Sequence, residues 1–346
     1  MSILVTGGAG FIGSHTCAEL LDHGYDVVVA DDFSNSHPAS LTAVRSLTRT
    51  DLAVHPVDLR DAVALDEVFA SHDISAVIHF AAKKAVGESM TIPIDYFDVN
   101  VTGTISLLKT MMAHNVHGLV FSSSCSIYGD RYTRPICEAD QPGPVNPYAR
   151  SKLICEQILE SASATHHDLS IISLRYFNPA GAHPSGLLGE SPRGLPSNIV
   201  PYMTRVAAAR LERLNVFGAD YDTPDGSAIR DYIHVMDVAE AHRIAIEQLD
   251  GGQGMRAFNL GTGTGSSVLE LIGAFEETCN VQVPYVITGR RPGDVTSLIA
   301  DATLVEKEWG WRPSRDLPSI FADAWRFQQM NPDGFGDDAD HPRPSL

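Results

Sequence analysis

Residues 3–14 read ILVTGGAGFIGS: a short apolar run, a cluster of glycines and the opening of a helical pattern. Gly8, Gly10 and Gly13 satisfy G-x-G-x-x-G, and Gly7, Gly10 and Gly13 satisfy the alternative spacing G-x-x-G-x-x-G. Glycines in such a turn let the chain bend sharply, let the backbone approach a diphosphate, and let the next helix pack close to the strand. The diphosphate then rests on a helix N-terminus, where unpaired N–H groups and the helix dipole favour an anion. Glycine-rich turns also arise for packing alone, so the surroundings decide. The next apolar run, DVVVA at 26–30, is followed by Asp31 and Asp32. A carboxylate there accepts hydrogen bonds from ribose hydroxyls and repels a 2′-phosphate, which favours NAD over NADP. Strand, cradle, helix and acidic strand end together predict a dinucleotide site.

Outward from this stretch the same alternation continues. Apolar runs rich in β-branched residues recur as LAVHPV (52–57), AVIHF (76–80), GLVFS (118–122) and SIISLRY (170–176), with helical-period segments between them. Such runs read as strands buried on both faces, and strands alternating with helices imply a parallel, doubly wound sheet. The predicted fold class is therefore α/β and Rossmann-like. After Tyr176 comes FNPAGAHPSGLLGESPRGLPSN, rich in proline and glycine, which reads as loop. The segment DYIHVMDVAEAHRIAIEQL (231–249) again looks like a strand turning into a helix, so the chain is expected to return. This divides it into an NAD-binding domain, 1–178 rejoined by 231–262, and a smaller C-terminal α/β substrate domain, 179–230 and 263–335. Residues 336–346 read as a mobile polar tail.

Composition narrows the function. A chain of 346 residues is longer than one core usually serves, and 43 acids against 25 bases give a formal charge of −18. A surface of that sign repels phosphate backbones and anionic lipid, so neither nucleic acid nor membrane is an expected partner. An anionic small molecule remains compatible, because arginines and helix N-termini can override the global sign locally. Met1 leads straight into SILVTGG with no signal-like stretch, which points to the cytoplasm. Cys17, Cys125, Cys137, Cys155 and Cys279 form no CxxC pair, so neither a disulfide framework nor a metal site is predicted.

Two further stretches carry chemistry. GLVFS runs into SSCSIYGD, placing Ser122, Ser123 and Ser124 at a strand's carboxyl end, where open α/β sheets bind ligands. In NPYARSK (146–152), Pro147 suits the first helical turn, and Tyr148 and Lys152 fall on one face one turn apart. Taken alone, a tyrosine and lysine so spaced are a surface aromatic and a charge. Beside a nicotinamide cofactor they acquire a role. A phenol titrates near pH 10 by itself, and Lys152 with an oxidised nicotinamide would lower that value, making Tyr148 a general base. Ser124 could hydrogen-bond the same substrate hydroxyl, so the set fits hydride chemistry at a secondary alcohol.

TGGAGFIGS, the Ser124 strand end and YxxxK resemble the extended short-chain dehydrogenase/reductases. HFAAKKAVGES, FSSSCSIYGD, LRYFNPAGAHPSG, IRDYIHVMD, FNLGTGTGSSV and RRPGDV resemble, within them, the UDP-galactose (UDP-glucose) 4-epimerases. The matches run from residue 3 to about 335. The resemblance implies reversible C4 epimerisation through a 4-ketopyranose, with the hydride held transiently by tightly bound NAD+. Tyr148, Lys152 and Ser124 are then the catalytic set. Around the cofactor it implies Gly7, Gly10, Phe11, Ile12, Gly13, Asp31, Asp32, Asn35, Ser36, Leu59, Phe80, Ala81 and Ala82. Asn100, Ser122, Tyr148, Lys152, Phe177 and either Lys83 or Lys84 complete that set. Asp58 is an adenine-side contact or an ordinary turn aspartate. For the UDP-sugar it implies Lys84, Ser124, Tyr148, Asn178, Asn198, Phe217, Arg230, Arg291, Asp294 and Leu298. It further implies a homodimer formed by the helix of Tyr148 and the helix following Tyr96.

Two positions depart from the family pattern. Ala82 stands where HFAG is common, a small change in a backbone-packing position. Leu298 stands where relatives carry a tyrosine or a smaller residue beside the sugar, which suggests tolerance of N-acetylated UDP-hexoses unless the leucine only packs the wall. A 4,6-dehydratase would place an Asp-Glu pair where Cys125 and Ser126 stand. A UDP-uronate 4-epimerase or decarboxylase, and a non-catalytic NAD-binding sensor, are the alternatives.

Overall fold

The computed structural model describes residues 1–249 and 254–336. Residues 250–253 of the return segment, and the expected tail beyond Gly336, lie outside the described residues. The opening apolar run forms β1 (Ser2–Thr6), and α1 (Phe11–Asp22) leaves directly from the glycine turn. Strand and helix then alternate through β2 (Asp26–Ala30), α2 (Pro38–Thr48), β3 (Ala53–His55), α3 (Ala62–Ser71) and β4 (Ile74–His79). Two short helices, α4 (Val86–Ser89) and α5 (Pro93–Phe97), pass through a π turn (Asp98–Thr102) into α6 (Gly103–Ala113). Next come β5 (Gly118–Ser122), a 3-10 turn (Cys125–Tyr128), α7 (Pro147–Thr165) and β6 (Ser170–Tyr176).

The chain then moves to smaller sheets through β7 (Asn178–Ala180), α8 (Ile199–Ala207), β8 (Leu214–Phe217) and β9 (Ile229–His234). Helix α9 (Val235–Glu247) and β10 (Gly254–Leu260) return to the large sheet. The last elements are β11 (Gly265–Ser267), α10 (Val268–Cys279), β12 (Tyr285–Thr288), β13 (Ser297–Leu298), α11 (Thr303–Trp309) and α12 (Leu317–Met330).

The large sheet has seven strands in the order β10-β6-β5-β4-β1-β2-β3, each pair parallel. Strand order reverses between β1 and β4, which opens a crevice at the carboxyl ends there, the usual ligand position in such sheets. Residue alternation packs both faces. Ile3, Val5, Val27, Val29 and Ile78 join residues of α1, α2 and α9 on one side. Leu4, Val28, Val77, Leu119 and Phe121 join residues of α3, α6 and α7 on the other. Each such side chain taken from water contributes about 1.5–3 kcal/mol. A third core of Met203, Val216, Leu271, Phe275 and Phe321 holds α8, α10 and α12 together.

Two expectations about strands change. The run 52–57 yields only Ala53–His55, half-buried at the sheet edge, although Val57 N still donates to the Asp31 carbonyl at 3.2 Å beyond Pro56. The strand at 231–249 does not enter the large sheet. Strand β9 pairs instead with β7, β11 and β13, and α9 alone carries the chain back against α1. Among the described residues no helix is long and apolar enough to cross a membrane, and no group of side chains is arranged to hold a metal.

Candidate active site

The cradle lies where β1 meets α1. Gly7 has φ +69, and a Cβ on it would sit 2.6 Å from the Ala81 nitrogen, so only glycine fits. A Cβ on Gly13 would stand 2.3 Å from the Gly7 carbonyl oxygen, which shows how closely the turn is wound. Gly10 caps α1 without any side chain. The first N–H groups of α1, at Phe11, Ile12 and Gly13, therefore have no intrahelical acceptor and suit an anion. The Asp31 carboxylate, buried at the end of β2, accepts from Ala9 N at 2.9 Å, Phe33 N at 2.9 Å and the Ser36 hydroxyl at 2.7 Å. It pins the turn. Burial raises its pKa and those hydrogen bonds oppose the rise. Asp32 and Asn35 are exposed, and Asp32 caps Ser34. A built turn, a bare helix end and an acidic strand end together fit a dinucleotide.

The remaining cofactor candidates divide. Phe80 and Ala81 donate backbone N–H groups to the Thr6 carbonyl, carrying the segment that includes Ala82 across the top of β1. Asn100, in the π turn, accepts from Lys83 N at 2.8 Å and donates to the Lys83 carbonyl at 3.0 Å and to Ser151 Oγ at 2.9 Å. It thus fixes the lysine pair against α7. Lys83 lies over the Tyr96 ring, while Lys84 reaches Glu190 at 3.0 Å, so the two lysines part company. Asp58 is held by Arg60, which lowers its pKa, and Leu59 is buried in the core. Asp58 is therefore a paired turn aspartate.

Helix α7 presents the chemistry. Pro147 opens the helix and the Asn146 side chain caps Ala149 N at 2.9 Å, a cap that contributes about 1 kcal/mol. Lys152 is 4% exposed, donates to the Ser122 carbonyl at 2.6 Å, and stands 4.9 Å from the Phe121 ring centre. Burial brings its pKa down to about 8. The Tyr148 phenol is hydrogen-bonded to Ser124. Burial pushes its pKa up to about 12, with the Ser124 bond pulling the other way. The predicted lowering includes the charge of an oxidised nicotinamide, and among the protein groups alone burial dominates. Ser124 also accepts from Ser126 N and Oγ, and the Ser122 hydroxyl pairs with Tyr176. Phe177 is buried just beyond Tyr176.

Across the crevice the smaller sheets bring Arg230, Arg291 and Asp294 together. Asp294 accepts from Arg291 at 2.9 and 3.2 Å and lies 3.9 Å from Arg230. The Arg291 guanidinium sits 5.5 Å from the centre of the Phe217 ring, and Phe217 is exposed. Asn178 donates to the Asp231 carbonyl at 3.1 Å, and Asn198 donates to Glu190 at 2.7 Å. Leu298 pairs with Arg230 across β13 and β9 and is buried among Cys125, Phe177 and Val295.

Sequence reasoning missed the residues that brace these groups. His79 bridges Thr6 Oγ1 at 2.7 Å and Thr104 Oγ1 at 3.0 Å, its pKa driven to about 3 by burial and then by Lys152. Asp231 accepts from Thr262, Gly263 and Ala300, tying the middle of β9 to two loops. Glu190 joins Lys84 to Asn198. A polar residue inside an apolar run was the available signal for His79. The acids in IRDY and GLLGES gave one only as isolated charges.

The NAD dependent epimerase/dehydratase family model matches residues 3–261. The chain belongs to that family. Within it, the UDP-glucose 4-epimerase of Bacillus subtilis (strain 168) is 50% identical over 335 residues, spanning 97% of this chain and 99% of the relative. Among solved members, UDP-glucose 4-epimerase from Bifidobacterium longum, in complex with NAD+ and UDP, has a TM-score of 0.94 and 46% identity. The match covers 96% of this chain and 100% of that one. The Stenotrophomonas maltophila UDP-glucose-4-epimerase, with bound NAD and formylated UDP-arabinopyranose, has a TM-score of 0.92 and 47% identity over 95% and 98% of the two chains.

Proposed function

We propose that the chain interconverts UDP-galactose and UDP-glucose by inverting C4 through a 4-keto sugar, with NAD held throughout. The observation that carries this is the meeting of Tyr148, Ser124 and Lys152 beside the glycine cradle at the carboxyl ends of β1, β4 and β5. NAD, when bound, supplies the acceptor that takes the C4 hydride and returns it to the opposite face. Tyr148 removes and returns the 4-hydroxyl proton. Ser124 orients that hydroxyl through its bond to the same phenol. Lys152, anchored on the Ser122 carbonyl, supplies fixed positive charge next to the ring that must become phenolate.

The cradle of Gly7, Gly10, Phe11, Ile12 and Gly13, with Asp31, Asp32, Asn35 and Ser36, holds the adenosine diphosphate half of the cofactor. Asp58, Leu59, Phe80, Ala81, Ala82, Lys84, Asn100, Ser122 and Phe177 complete its walls, along with Tyr148 and Lys152. Arg230 and Arg291 grip the substrate diphosphate, with Phe217, Asn178, Asn198, Lys84 and Asp294 around it. Bidentate guanidinium recognition suits that group. Leu298 borders the sugar and leaves room for N-acetylated UDP-hexoses.

We assign residues 1–178 with 231–262 to the cofactor and 179–230 with 263–335 to the nucleotide sugar. The return of α9 and β10 to the large sheet supports that division. We further propose a cytoplasmic homodimer joined through α7 and α6. Exposed Met90 and Ile94 on the neighbouring short helices support that face as an interface. The test of function is direct: purified protein incubated with UDP-galactose and no added cofactor, with products identified by NMR. UDP-glucose at equilibrium supports the reading; unchanged substrate both with and without added NAD rejects it.

A further inference from the structure

We infer that Glu190 is a positioning residue that holds the cofactor-side Lys84 and the nucleotide-sugar-side Asn198 in one working arrangement. The inference rests on the proposed placement of Lys84 and Asn198 against ligand. Lys84 follows β4 in a segment whose backbone Asn100 locks to α7, whereas Asn198 precedes α8 in the other half of the fold. Both donate to the same atom, Glu190 Oε1, from 3.0 Å and 2.7 Å.

The acid itself is fixed. Its side chain is 7% exposed against 41% for Lys84, so the carboxylate is the anchor and the lysine the group being held. The loop that carries it is closed by a bridge between Ala182 and Gly189 and by His183 N donating to the Leu188 carbonyl at 2.8 Å. Gly189 lets the loop lie against α12: a Cβ there would stand 2.4 Å from the Phe327 ring. The backbone delivering Glu190 is thus packed in place.

Asn198 gives the second, independent sign. An asparagine at an N-cap ordinarily turns its side-chain oxygen onto the first N–H groups of its own helix. Asn198 makes no such cap and gives its amide to Glu190 instead. Its oxygen is left for another donor. A lysine has a long stem and a freely rotating ammonium, so its useful reach depends on an anchor of opposite charge. Glu190 provides that anchor and makes Asn198 share it, which couples the two halves at the crevice.

The experiment compares holoenzyme variants Glu190→Gln, Glu190→Asp, Lys84→Met and Asn198→Ala, and the double variant Glu190→Gln/Lys84→Met, with UDP-galactose as substrate. Loss of a charge-assisted bond predicts that Glu190→Gln raises KM about tenfold while kcat changes less than about threefold. Glu190→Asp keeps the charge and is the milder of the two, although glutamine is the closer match in shape. In the Lys84→Met background, Glu190→Gln adds less than about twofold, as expected for residues acting as one unit. A purely structural role reverses the order of Asp and Gln, and that order would overturn the inference. So would an unchanged or lowered KM in Glu190→Gln, or effects that multiply with Lys84→Met. Normal KM and cofactor content in both Lys84→Met and Asn198→Ala would overturn the ligand assignment itself, and the inference with it. A normal Glu190→Gln beside impaired Lys84→Met overturns the Glu190 step alone.

Discussion

The wall that handles the proton and the loops that face the diphosphate are built on opposite plans. Lys152, Ser122 and Ser124 stand on α7 and at the end of β5, nearly out of solvent, with their polar atoms taken by buried neighbours. Arg291 is 35% exposed by its side chain and pairs with Asp294, while Arg230, 14% exposed, stands 3.9 Å from the same carboxylate and donates to the Ile229 carbonyl. Proton transfer needs groups fixed by packing, since a displacement of about 1 Å can lower the rate about a hundredfold. Diphosphate capture needs charges that can change partners, and exposed ion pairs hold one another by only about 0–1 kcal/mol. Rigid elements therefore carry the chemistry, and short strands and loops carry the recognition.

If this contrast is right, the largest effect belongs to the rigid side. Tyr148→Phe is expected to lower turnover about a thousandfold while NAD content stays normal, measured by single-turnover epimerisation and by cofactor release on denaturation. Undiminished turnover would erase the distinction between the two regions. Lys152→Met is expected to lower kcat about a hundredfold and to leave a separate mark on stability. The folded pKa of Lys152, about 8, lies below its ordinary 10.5. Between those values the unfolded chain binds more protons at this group, so it makes stability rise with pH there. Urea midpoints across that window should climb less in Lys152→Met than in the wild type; an identical climb would show that the lysine is not titrating in that range.

The recognition side should respond in KM. Arg291→Ala is expected to raise KM for UDP-galactose about tenfold to thirtyfold with kcat within about threefold, and to make binding less sensitive to salt. A fall in kcat as large as that of Lys152→Met would mean that the arginine is part of the chemistry. The smallest effect is expected at Leu298. Placing a larger ring in this packed position costs about 1–3 kcal/mol. Leu298→Tyr should reduce turnover of UDP-N-acetylgalactosamine more than that of UDP-galactose. Equal and negligible activity on the acetylated sugar in both proteins would make Leu298 only a packing residue.

The two regions also differed in how far the sequence disclosed them. Most of the large sheet was legible because β1, β2, β4, β5 and β6 are largely apolar runs and because Gly7, Gly13 and Asp31 carry steric and electrostatic demands of their own, whereas β10, broken by Arg256 and Asn259, went unread. Strand β3 was overestimated because an apolar run does not reveal its edge position. Of the smaller sheet only β9 was legible, as the strand that turns into a helix at 231–249. The sheet's other strands, Asn178–Ala180, Gly265–Ser267 and Ser297–Leu298, are too short to show a period, and β9 pairs with all three across long stretches of chain. The braces were hidden for the same reason. Glu190, Asp231 and His79 act through partners distant in sequence, such as Lys84, Ala300 and Thr6. The tyrosine was found, and burial of its phenol outweighs the help its protein neighbours give, which leaves the lowering to the charge that a bound nicotinamide would add.

The most direct measurement follows a deuterium label at C4 of UDP-galactose through turnover by the purified protein. The account predicts UDP-glucose that keeps the label at C4, because the hydride leaves and returns within one site while only the hydroxyl proton passes through Tyr148. Product whose C4 label has been lost to water, or inversion at a different carbon, would contradict it.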